Sequence, residues 1–308
     1  MRKIYDCFTF YNEYDLLELR LRELYDHVDH FVIAEANVTH SHKPKPYNFL
    51  DNIERYKPWA DKIIYVKVED MPGITEEIRH HPNTGVYGVW QNYWHNERHQ
   101  RNCLVRGLVD ATDDDIIIVS DVDEMIRGEC IDDMRQDTQH NLWSFRMPMF
   151  NYKFNYMWTQ PLIFQVQGQA FTIARAKTFP NLSWSREVYG RVWVDRSKEY
   201  DDGTEKCYTH AGWHFSSLGD SKHVANKLLN VADYFTEEAK TINIDTLIDQ
   251  RTSQVVKGSK FEPVILNDYF PKYIVENQDR YKDFILTDGT QTVLDKLSVI
   301  DMNSNIQY

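Results

Sequence analysis

The feature that most constrains the fold is a short apolar run near the middle of the chain. Residues 116–119 are three isoleucines and a valine with no polar residue between them. A strand that is apolar on both sides is typical of a parallel sheet covered on both faces. Asp121 and Asp123 follow this run almost directly. The pattern predicts an α/β protein with two carboxylates at the carboxyl end of a central strand.

The first third of the chain alternates strand and helix patterns. Residues 4–10, 31–34 and 62–68 are rich in β-branched and aromatic side chains, and leucines recur at helical spacing from residue 17. Residues 90–108 lack proline and carry apolar and charged side chains at helical intervals. This order predicts parallel strands joined by helices, as in a Rossmann-like sheet.

Beyond residue 125 the pattern changes. Long aromatic-rich strands are predicted at residues 142–147, 149–156 and 170–175, followed by polar helices at 224–240 and 242–257. This part of the sheet is expected to be mixed or antiparallel. The sequence contains no repeat, low-complexity segment or Gly/Ser/Pro-rich linker, so we predict a single domain.

Charge and hydropathy exclude several classes of protein. Lys and Arg total 35 against 47 Asp and Glu, a formal net charge of −12, and no basic run is present. A nucleic-acid partner is therefore not expected. The apolar runs are far shorter than the roughly 20 residues of a transmembrane helix, and the first residues do not resemble a signal peptide. We expect a cytoplasmic protein without a transmembrane segment, with its four widely spaced cysteines as buried thiols.

The carboxylates after residue 119 predict a ligand site. Ligands of open α/β sheets bind outside the carboxyl ends of the strands. In an extended chain, residues at i and i+2 lie on one side, so Asp121 and Asp123 are expected to address one cation. Beside a nucleotide diphosphate two bare carboxylates would be repelled, and a divalent ion reverses that effect. Hard oxygen ligands favour Mg²⁺ or Mn²⁺.

A second conspicuous stretch contains two histidines, His210 and His214, around Gly212. Gly212 and the neighbouring aromatic residues argue against a helical zinc site. One imidazole that completes the carboxylate site is the favoured interpretation, and it would shift the preference from Mg²⁺ toward Mn²⁺. A histidine hydrogen-bonded within the core is the alternative.

Collinear motifs resemble glycosyltransferase family 17. They are an N-terminal run at residues 10–20 with segments 28–37 and 43–46 after it, the stretch Ser120 to Met125, the sequence Ala211-Gly212-Trp213-His214, and a C-terminal signature at residues 271–281. In the second motif the usual proline is absent, with Arg127 one place later. The matches run in order from residue 5 to about residue 285.

The resemblance implies a GT-A type fold: a Rossmann-like mixed sheet with helices on both faces. It also implies a UDP-sugar donor (UDP-GlcNAc in the characterised branch of the family), a Mn²⁺ (or Mg²⁺) ion, inversion at the anomeric carbon and an oligosaccharide or glycan acceptor. The single domain of residues 1–308 would then have a nucleotide-sugar-binding half, residues 1–125, and an acceptor-side half with C-terminal helices, residues 126–308.

We assign the metal to three side chains. Asp123 is expected to ligate it directly, and Asp121 to reach it through water or to contact the donor ribose. His214 is the candidate third ligand, from the C-terminal half.

Five further residues are predicted to contact the donor. Asn12 and Glu13 follow the first strand, and Glu35 ends the second, where related GT-A enzymes place an acid against the uracil or ribose. Glu13 could equally cap the first helix. Arg101 would reach the diphosphate or form an ion pair with the glutamate one helical turn before it, and Lys272 is a weaker phosphate candidate.

Inverting transfer requires a base that removes the proton of the acceptor hydroxyl. By topological analogy we predict Glu187, with a surface ion pair as the alternative role and Asp220 and Asp268 as alternative bases. Trp184, Trp193 and Trp213 are candidates for an acceptor platform or for the core. Two rival functions remain: a metal-dependent nucleotide phosphohydrolase, and a non-catalytic carbohydrate-binding protein of the same fold.

Overall fold

The computed structural model describes residues 2–74, 89–160, 166–178, 205–230, 243–252 and 259–303. The strands are β1 (Ile4–Thr9), β2 (His30–Ala36), β3 (Ile63–Val68), β4 (Ile116–Asp121), β5 (Glu124–Ile126), β6 (Leu142–Arg146), β7 (Met149–Asn151), β8 (Tyr156–Gln160), β9 (Val166–Thr172), β10 (Glu205–Tyr208), β11 (Gly212–Ser216) and β12 (Lys260–Pro263).

The helices in the same ranges are α1 (Tyr14–Leu24), α2 (Asn48–Asp51), α3 (Ile53–Tyr56), α4 (Val89–Asn102), α5 (Gly128–Gln136), α6 (Ile173–Ala176), α7 (Ser221–Leu228), α8 (Ile244–Asp249), α9 (Lys272–Glu276) and α10 (Val293–Asn303). Short 3-10 helices lie at Lys57–Lys62, Cys103–Gly107 and Lys282–Phe284. No helix of the described residues has the length and apolar character needed to cross a membrane.

A seven-stranded sheet forms the centre of the molecule, in the order β10-β6-β9-β4-β1-β2-β3. Strands β3, β2, β1 and β4 run parallel to one another, whereas β9 is antiparallel to both β4 and β6. The parallel strands place their carboxyl ends at one edge of the sheet, hereafter the carboxyl edge. The predicted mixed, Rossmann-like sheet is confirmed.

Helices cover both faces of this sheet. Ile4 and Phe8 of β1 pack in one buried cluster with Leu17 of α1, while Cys7 packs in a second cluster with Leu104 of the 3-10 helix Cys103–Gly107. Successive strand residues point to opposite faces, so an uninterrupted apolar strand requires this double cover. The predicted helices on both faces are confirmed.

A second sheet has five strands in the order β12-β8-β7-β11-β5. Strand β11 pairs with β5 in antiparallel register, Trp213 opposite Met125 and His214 opposite Glu124. This pairing brings the Gly-Trp-His stretch beside the Asp121–Glu124 segment.

Several predicted boundaries were wrong. The strand predicted at 149–156 divides into β7 and β8 because the chain turns at Tyr152, whose φ is +66°. The strand predicted at 170–175 ends at Thr172, where the Thr172 side chain caps α6. The helix predicted at 90–108 becomes a 3-10 helix from Cys103.

The two C-terminal helices predicted at 224–240 and 242–257 correspond to α7 and α8, which are shorter within the described ranges. Residues 231–242 and 253–258 lie outside those ranges. Only Cys7 and Cys103 are buried thiols as predicted, since Cys130 is partly buried and Cys207 is exposed.

Candidate active site

The segment that carries the two aspartates is a tight turn. Asp121 ends β4, Val122 and Asp123 form the turn, and Glu124 begins β5. The prediction that Asp121 and Asp123 share one side of an extended chain was therefore wrong. The backbone reverses between them, and their carboxylates have different partners.

A buried arginine holds the backbone of this turn. Arg20 of α1 is fully buried and pairs with Asp6 of β1, with 2.5 Å between Nη2 and Oδ1. The same guanidinium donates to the carbonyl oxygens of Asp121 at 2.7 Å and Glu124 at 2.9 Å, and to Ser120 Oγ at 2.7 Å. Arg20 contacts the turn through the backbone oxygens of Asp121 and Glu124, so the side chains of the two aspartates remain for other contacts.

The Glu124 side chain stabilises this turn by a hydrogen bond to its backbone. Its Oε2 accepts a hydrogen bond from the backbone N–H of Asp121 at 2.8 Å, and its side chain is buried. The third acid of the Asp-x-Asp-Glu stretch therefore has a structural role, which supports the geometry of the other two.

The Asp121 carboxylate lies against α4. Its Oδ1 accepts from Arg101 Nη2 at 2.9 Å, and Arg101 also pairs with Glu97 one turn earlier in the helix. Burial lowers the pKa of Arg101, but Glu97 and Asp121 raise it further than burial lowers it. Arg101 Nη1 is buried and has no hydrogen-bond partner within the described ranges. The predicted ion pair with Glu97 is present, and Arg101 adds a positive charge at Asp121.

A partly buried histidine extends this group. The imidazole of His40 meets Gln100 of α4 at 3.1 Å, and burial lowers the pKa of His40. Burial raises the pKa of Glu97, yet Arg101 and His40 lower it below its usual value overall. Glu97 is thus held as a carboxylate that orients Arg101 toward Asp121.

The Asp123 carboxylate lies against different elements. Its Oδ2 accepts from Lys227 Nζ of α7 at 2.8 Å, and its Oδ1 lies 3.8 Å from His214 Nε2 of β11. The three side chains are 8%, 16% and 13% exposed, respectively. Burial lowers the pKa of Lys227, but Asp123 and Glu13 raise it above its usual value overall. A firmly protonated lysine therefore neutralises the Asp123 carboxylate.

The donor chemistry at Asp123 fits a divalent cation. Asp123 Oδ1 and His214 Nε2 are separated by a distance that two ligands of one ion can adopt. His214 Nδ1 is buried, and no described residue forms a hydrogen bond with it. Asp121, whose carboxylate faces Arg101, does not complete a compact three-ligand group with them among the described residues.

The loop after β1 lies next to α7. Glu13 Oε2 accepts from the backbone N–H groups of Tyr11 and Asn12, at 3.2 and 3.1 Å. Asn226 of α7 donates to the Tyr11 hydroxyl at 3.4 Å. Asn12 Oδ1 is buried and lacks a hydrogen-bond partner in the part of the chain that the structure describes. Glu13 thus folds the loop back on itself, and does not make the helix-capping hydrogen bond that was its alternative role.

Glu35 lies below the carboxyl edge rather than on its surface. The residue is fully buried; Oε1 accepts from Lys45 Nζ at 2.9 Å and from the backbone N–H of Asn48 at 2.6 Å. Oε2 accepts from the backbone N–H of Phe49 and the hydroxyl of Tyr65, both at 3.0 Å. Burial raises the pKa of Glu35. This placement contradicts a direct nucleotide contact, because both carboxylate oxygens are used by internal partners in the loop after β2, the first turn of α2 and β3.

Other predicted residues are elsewhere. The Lys272 side chain is 81% exposed and pairs with Glu276 at 3.7 Å, and the adjacent Tyr273 donates to Glu23 near the C-terminal end of α1. The structure therefore does not group Lys272 with the residues of the carboxyl edge. Trp213 is a core residue, since it is 4% exposed and its Nε1 donates to Tyr269 O at 3.0 Å.

The candidate bases have separate outcomes. Glu187, together with Trp184 and Trp193, lies outside the described residues. Asp220 accepts from the backbone N–H of His223 and so caps α7. Asp268 is exposed.

The sequence interpretation missed Lys227 and Arg20. Lys227 carries no local signal, because a lysine in a polar helix is usually solvated. Arg20 had one, since it occupies the apolar face of α1 between Leu17 and Leu21, and Asp6 interrupts an apolar strand. Opposite charges at two buried positions indicate a pair.

A parallel sheet with acids and cations at its carboxyl edge is typical of α/β proteins that bind nucleotides or nucleotide-sugars. The family model for "Glycosyltransferase family 17" matches residues 1–163, more than half of the chain. The chain is a member of glycosyltransferase family 17, as the sequence motifs predicted.

Two relatives are named beta-1,4-mannosyl-glycoprotein 4-beta-N-acetylglucosaminyltransferase. The protein of Rattus norvegicus is 23% identical and that of Homo sapiens 24%, each over 91% of this chain and 54% of the relative. The chain thus spans about half the length of the curated relatives that it matches.

Similar solved structures include glucosyl-3-phosphoglycerate synthase from Mycobacterium tuberculosis, in complex with Mn²⁺ and UDP-glucose. It is 10% identical, with a TM-score of 0.36, over 89% of this chain and 91% of that one. Galactosyltransferase LgtC, in complex with donor and acceptor sugar analogs, is 10% identical with a TM-score of 0.34, over 77% and 81% of the two chains.

Proposed function

We propose that this protein is an inverting glycosyltransferase that moves GlcNAc from UDP-GlcNAc to a hydroxyl of a glycan acceptor, forming a β-linkage. The observation that carries the proposal is the meeting of Asp123, His214 and Lys227 at the carboxyl edge of a family 17 chain. The names of the relatives support the sugar.

Asp123 and His214 are the residues that would hold a Mn²⁺ or Mg²⁺ ion, with Asp121 reaching it through water or binding the ribose. Such an ion would stabilise the negative charge of the departing diphosphate. Because the ion and Lys227 compete for Asp123, we propose that Lys227 leaves Asp123 when the donor binds and contacts the diphosphate instead.

The other residues of the edge have supporting roles in this proposal. The loop at Asn12 and Glu13 lies beside α7 and would contact the nucleoside. Asn12 Oδ1, which has no hydrogen-bond partner among the described residues, would accept from a base or ribose donor group. Arg101 orients Asp121 and adds positive charge for the phosphates. Glu187 is proposed as the base that removes the proton of the acceptor hydroxyl while the anomeric carbon is displaced in line.

A donor panel tests the function. UDP-GlcNAc, UDP-Gal, UDP-Glc and GDP-Man are each added with Mn²⁺ in a thermal-shift assay, where a ligand at 100 times its dissociation constant adds about 2.7 kcal/mol of stability. UDP-GlcNAc is expected to give the largest shift, and Asp123→Asn to abolish it together with turnover. Release of phosphate from many nucleotides would favour a phosphohydrolase. Oligosaccharide binding that needs neither UDP nor Mn²⁺ would favour a carbohydrate-binding protein.

A lysine variant tests the competition at Asp123. Lys227→Met removes the ammonium group that pairs with Asp123, so Mn²⁺ alone is expected to bind more tightly. UDP in the presence of Mn²⁺ is expected to bind more weakly, by about tenfold or more. Isothermal titration calorimetry measures both affinities. Lys222→Met, an exposed position of the same helix, is the control and should change neither. Changes of the same sign in both affinities would contradict the exchange.

A further inference from the structure

A second group of metal-binding side chain types lies at the junction of β3 and α4. Asp70 follows β3 by two residues, His99 is in the last turn of α4, and Cys103 begins the 3-10 helix that continues α4. Residues four apart on a helical path share a side, so His99 and Cys103 both face the chain that leaves β3.

The ligand atoms of these three side chains lie within 4.8 Å of one another. Within the described parts of the chain, they are the one group of three or more His, Cys, Asp or Glu side chains with this property. Among the residues that the structure describes, buried His99 Nε2 has no hydrogen-bond partner, and it lies 3.5 Å from Asp70 Oδ1. A buried ring nitrogen without a partner has a free energy cost that a metal ion would remove.

The Asp70 carboxylate is already oriented. Arg106 donates to Oδ1 at 2.9 Å and to Oδ2 at 2.6 Å. A carboxylate that ligates a metal through one oxygen commonly accepts a hydrogen bond on the other. Arg106 is able to keep its contact with Oδ2 while Oδ1 turns to an ion.

The sulfur is held by close packing. Cys103 is 3% exposed, and the 3-10 helix that it begins lies directly against the sheet. At Gly107 a Cβ atom would lie 2.5 Å from Val32 Cγ1, so glycine is what allows this approach. The thiol therefore has little freedom to move away from His99.

We propose that Asp70, His99 and Cys103 form a binding site for a zinc-class divalent cation, with a fourth position open to water or another ligand. Thiolate, imidazole and carboxylate are all zinc ligands, and sulfur disfavours Mg²⁺ and Mn²⁺. The thiol proton passes to solvent when the metal–sulfur bond forms. The bound ion would join β3 to α4, the helix that also carries Arg101.

Cobalt(II) tests this site directly, because a thiolate ligand to Co²⁺ gives a charge-transfer absorption band that oxygen ligands do not. Metal-free protein titrated with Co²⁺ is expected to show this band at one equivalent, and Zn²⁺ is expected to remove it. Cys103→Ser should abolish the band, and His99→Gln and Asp70→Asn should weaken Co²⁺ binding tenfold or more.

Two controls separate this site from other cysteines and from the proposed active site. Cys207→Ser changes the exposed thiol of β10 and should leave the band intact, as should Asp123→Asn. Absence of the band in the wild-type protein would overturn the proposal, as would its persistence in folded Cys103→Ser. If Cys103→Ser does not fold, the wild-type spectrum and His99→Gln decide the question.

Discussion

The Asp121–Glu124 turn and helix α7 contribute opposite charges to one ion pair, but they are anchored in different ways. The turn lies between two paired strands, and the fully buried Arg20 donates to its backbone oxygens from below. Helix α7 meets the carboxyl edge through polar side chains: Lys227 contacts Asp123, and Asn226 contacts the Tyr11 hydroxyl at 3.4 Å.

The difference separates a preorganised part of the site from an adjustable one. The position of Asp123 is set by contacts that a ligand would not need to break. The position of Lys227 depends on a flexible four-carbon side chain that contacts Asp123 at its tip. An arriving cation would therefore find Asp123 in place and need to displace only Lys227.

The largest expected effect tests the anchoring of the turn. Arg20→Met leaves the Asp6 carboxylate buried without its partner, and removal of one partner of a buried pair costs about 3–5 kcal/mol. Urea denaturation is expected to show this loss. Lys57→Met, in an exposed pair with Glu54, is the control and should cost at most about 0.5 kcal/mol. A loss below about 1 kcal/mol for Arg20→Met would remove the contrast between the two regions.

A smaller effect is expected at the pair itself. Asp123→Asn and Lys227→Met each leave a mostly buried charge unpaired, so each is expected to lower the melting temperature. The same change of an isolated acid at a surface turn would leave it unchanged. In a double-mutant cycle the two changes should couple by about 1–3 kcal/mol. Additive losses would show that the two residues do not stabilise each other in solution.

The smallest effect concerns the anchoring of α1, which carries Arg20. Burial raises the pKa of Glu18, but hydrogen bonds from Arg280, Arg55 and Arg22 lower it overall to about 2 from 4.5. Because the pKa of Glu18 is lower in the folded than in the unfolded protein, its ionised side chain stabilises the fold at pH values above about 4.5. This contribution is lost as the pH falls from about 4.5 to 2. The arginines are partly exposed, so screening reduces it to about 1–2 kcal/mol.

Glu18→Gln checks this pH dependence. Unfolding free energies measured across that pH range should fall less steeply in the variant than in the wild-type protein. Glu54→Gln, at an exposed position, should keep the wild-type slope. Equal slopes for wild type and Glu18→Gln would show that the three arginines do not depress the pKa of this carboxyl in solution.

The parallel part of the fold was predictable because it depends on local patterns. Apolar residues at 116–119 require cover on both faces, and the leucines of α1 supply one of those covers. The breaks at Tyr152 and Cys103 were not predictable in this way. They depend on a positive φ and on the close approach of Gly107 to Val32, which only the folded chain shows.

The site was predicted in part. The position of Asp121 and Asp123 at the end of β4 follows from the strand that precedes them, and β11 does bring His214 to Asp123. The partners that decide what these acids do are distant in sequence. Lys227 is 104 positions from Asp123, and no periodicity links them. Glu35 was misplaced because a glutamate at a strand end looks the same whether it faces solvent or accepts four internal hydrogen bonds.

The contact of Arg20 with carbonyl oxygens has a consequence for changing this protein. Val122 packs in the buried core, but every amino acid supplies a carbonyl, so the contacts of Arg20 do not depend on which side chains occupy positions 121 and 123. Randomising those positions should therefore yield many folded proteins with new chemistry at an unchanged place, provided that Asp6 and Arg20 are kept.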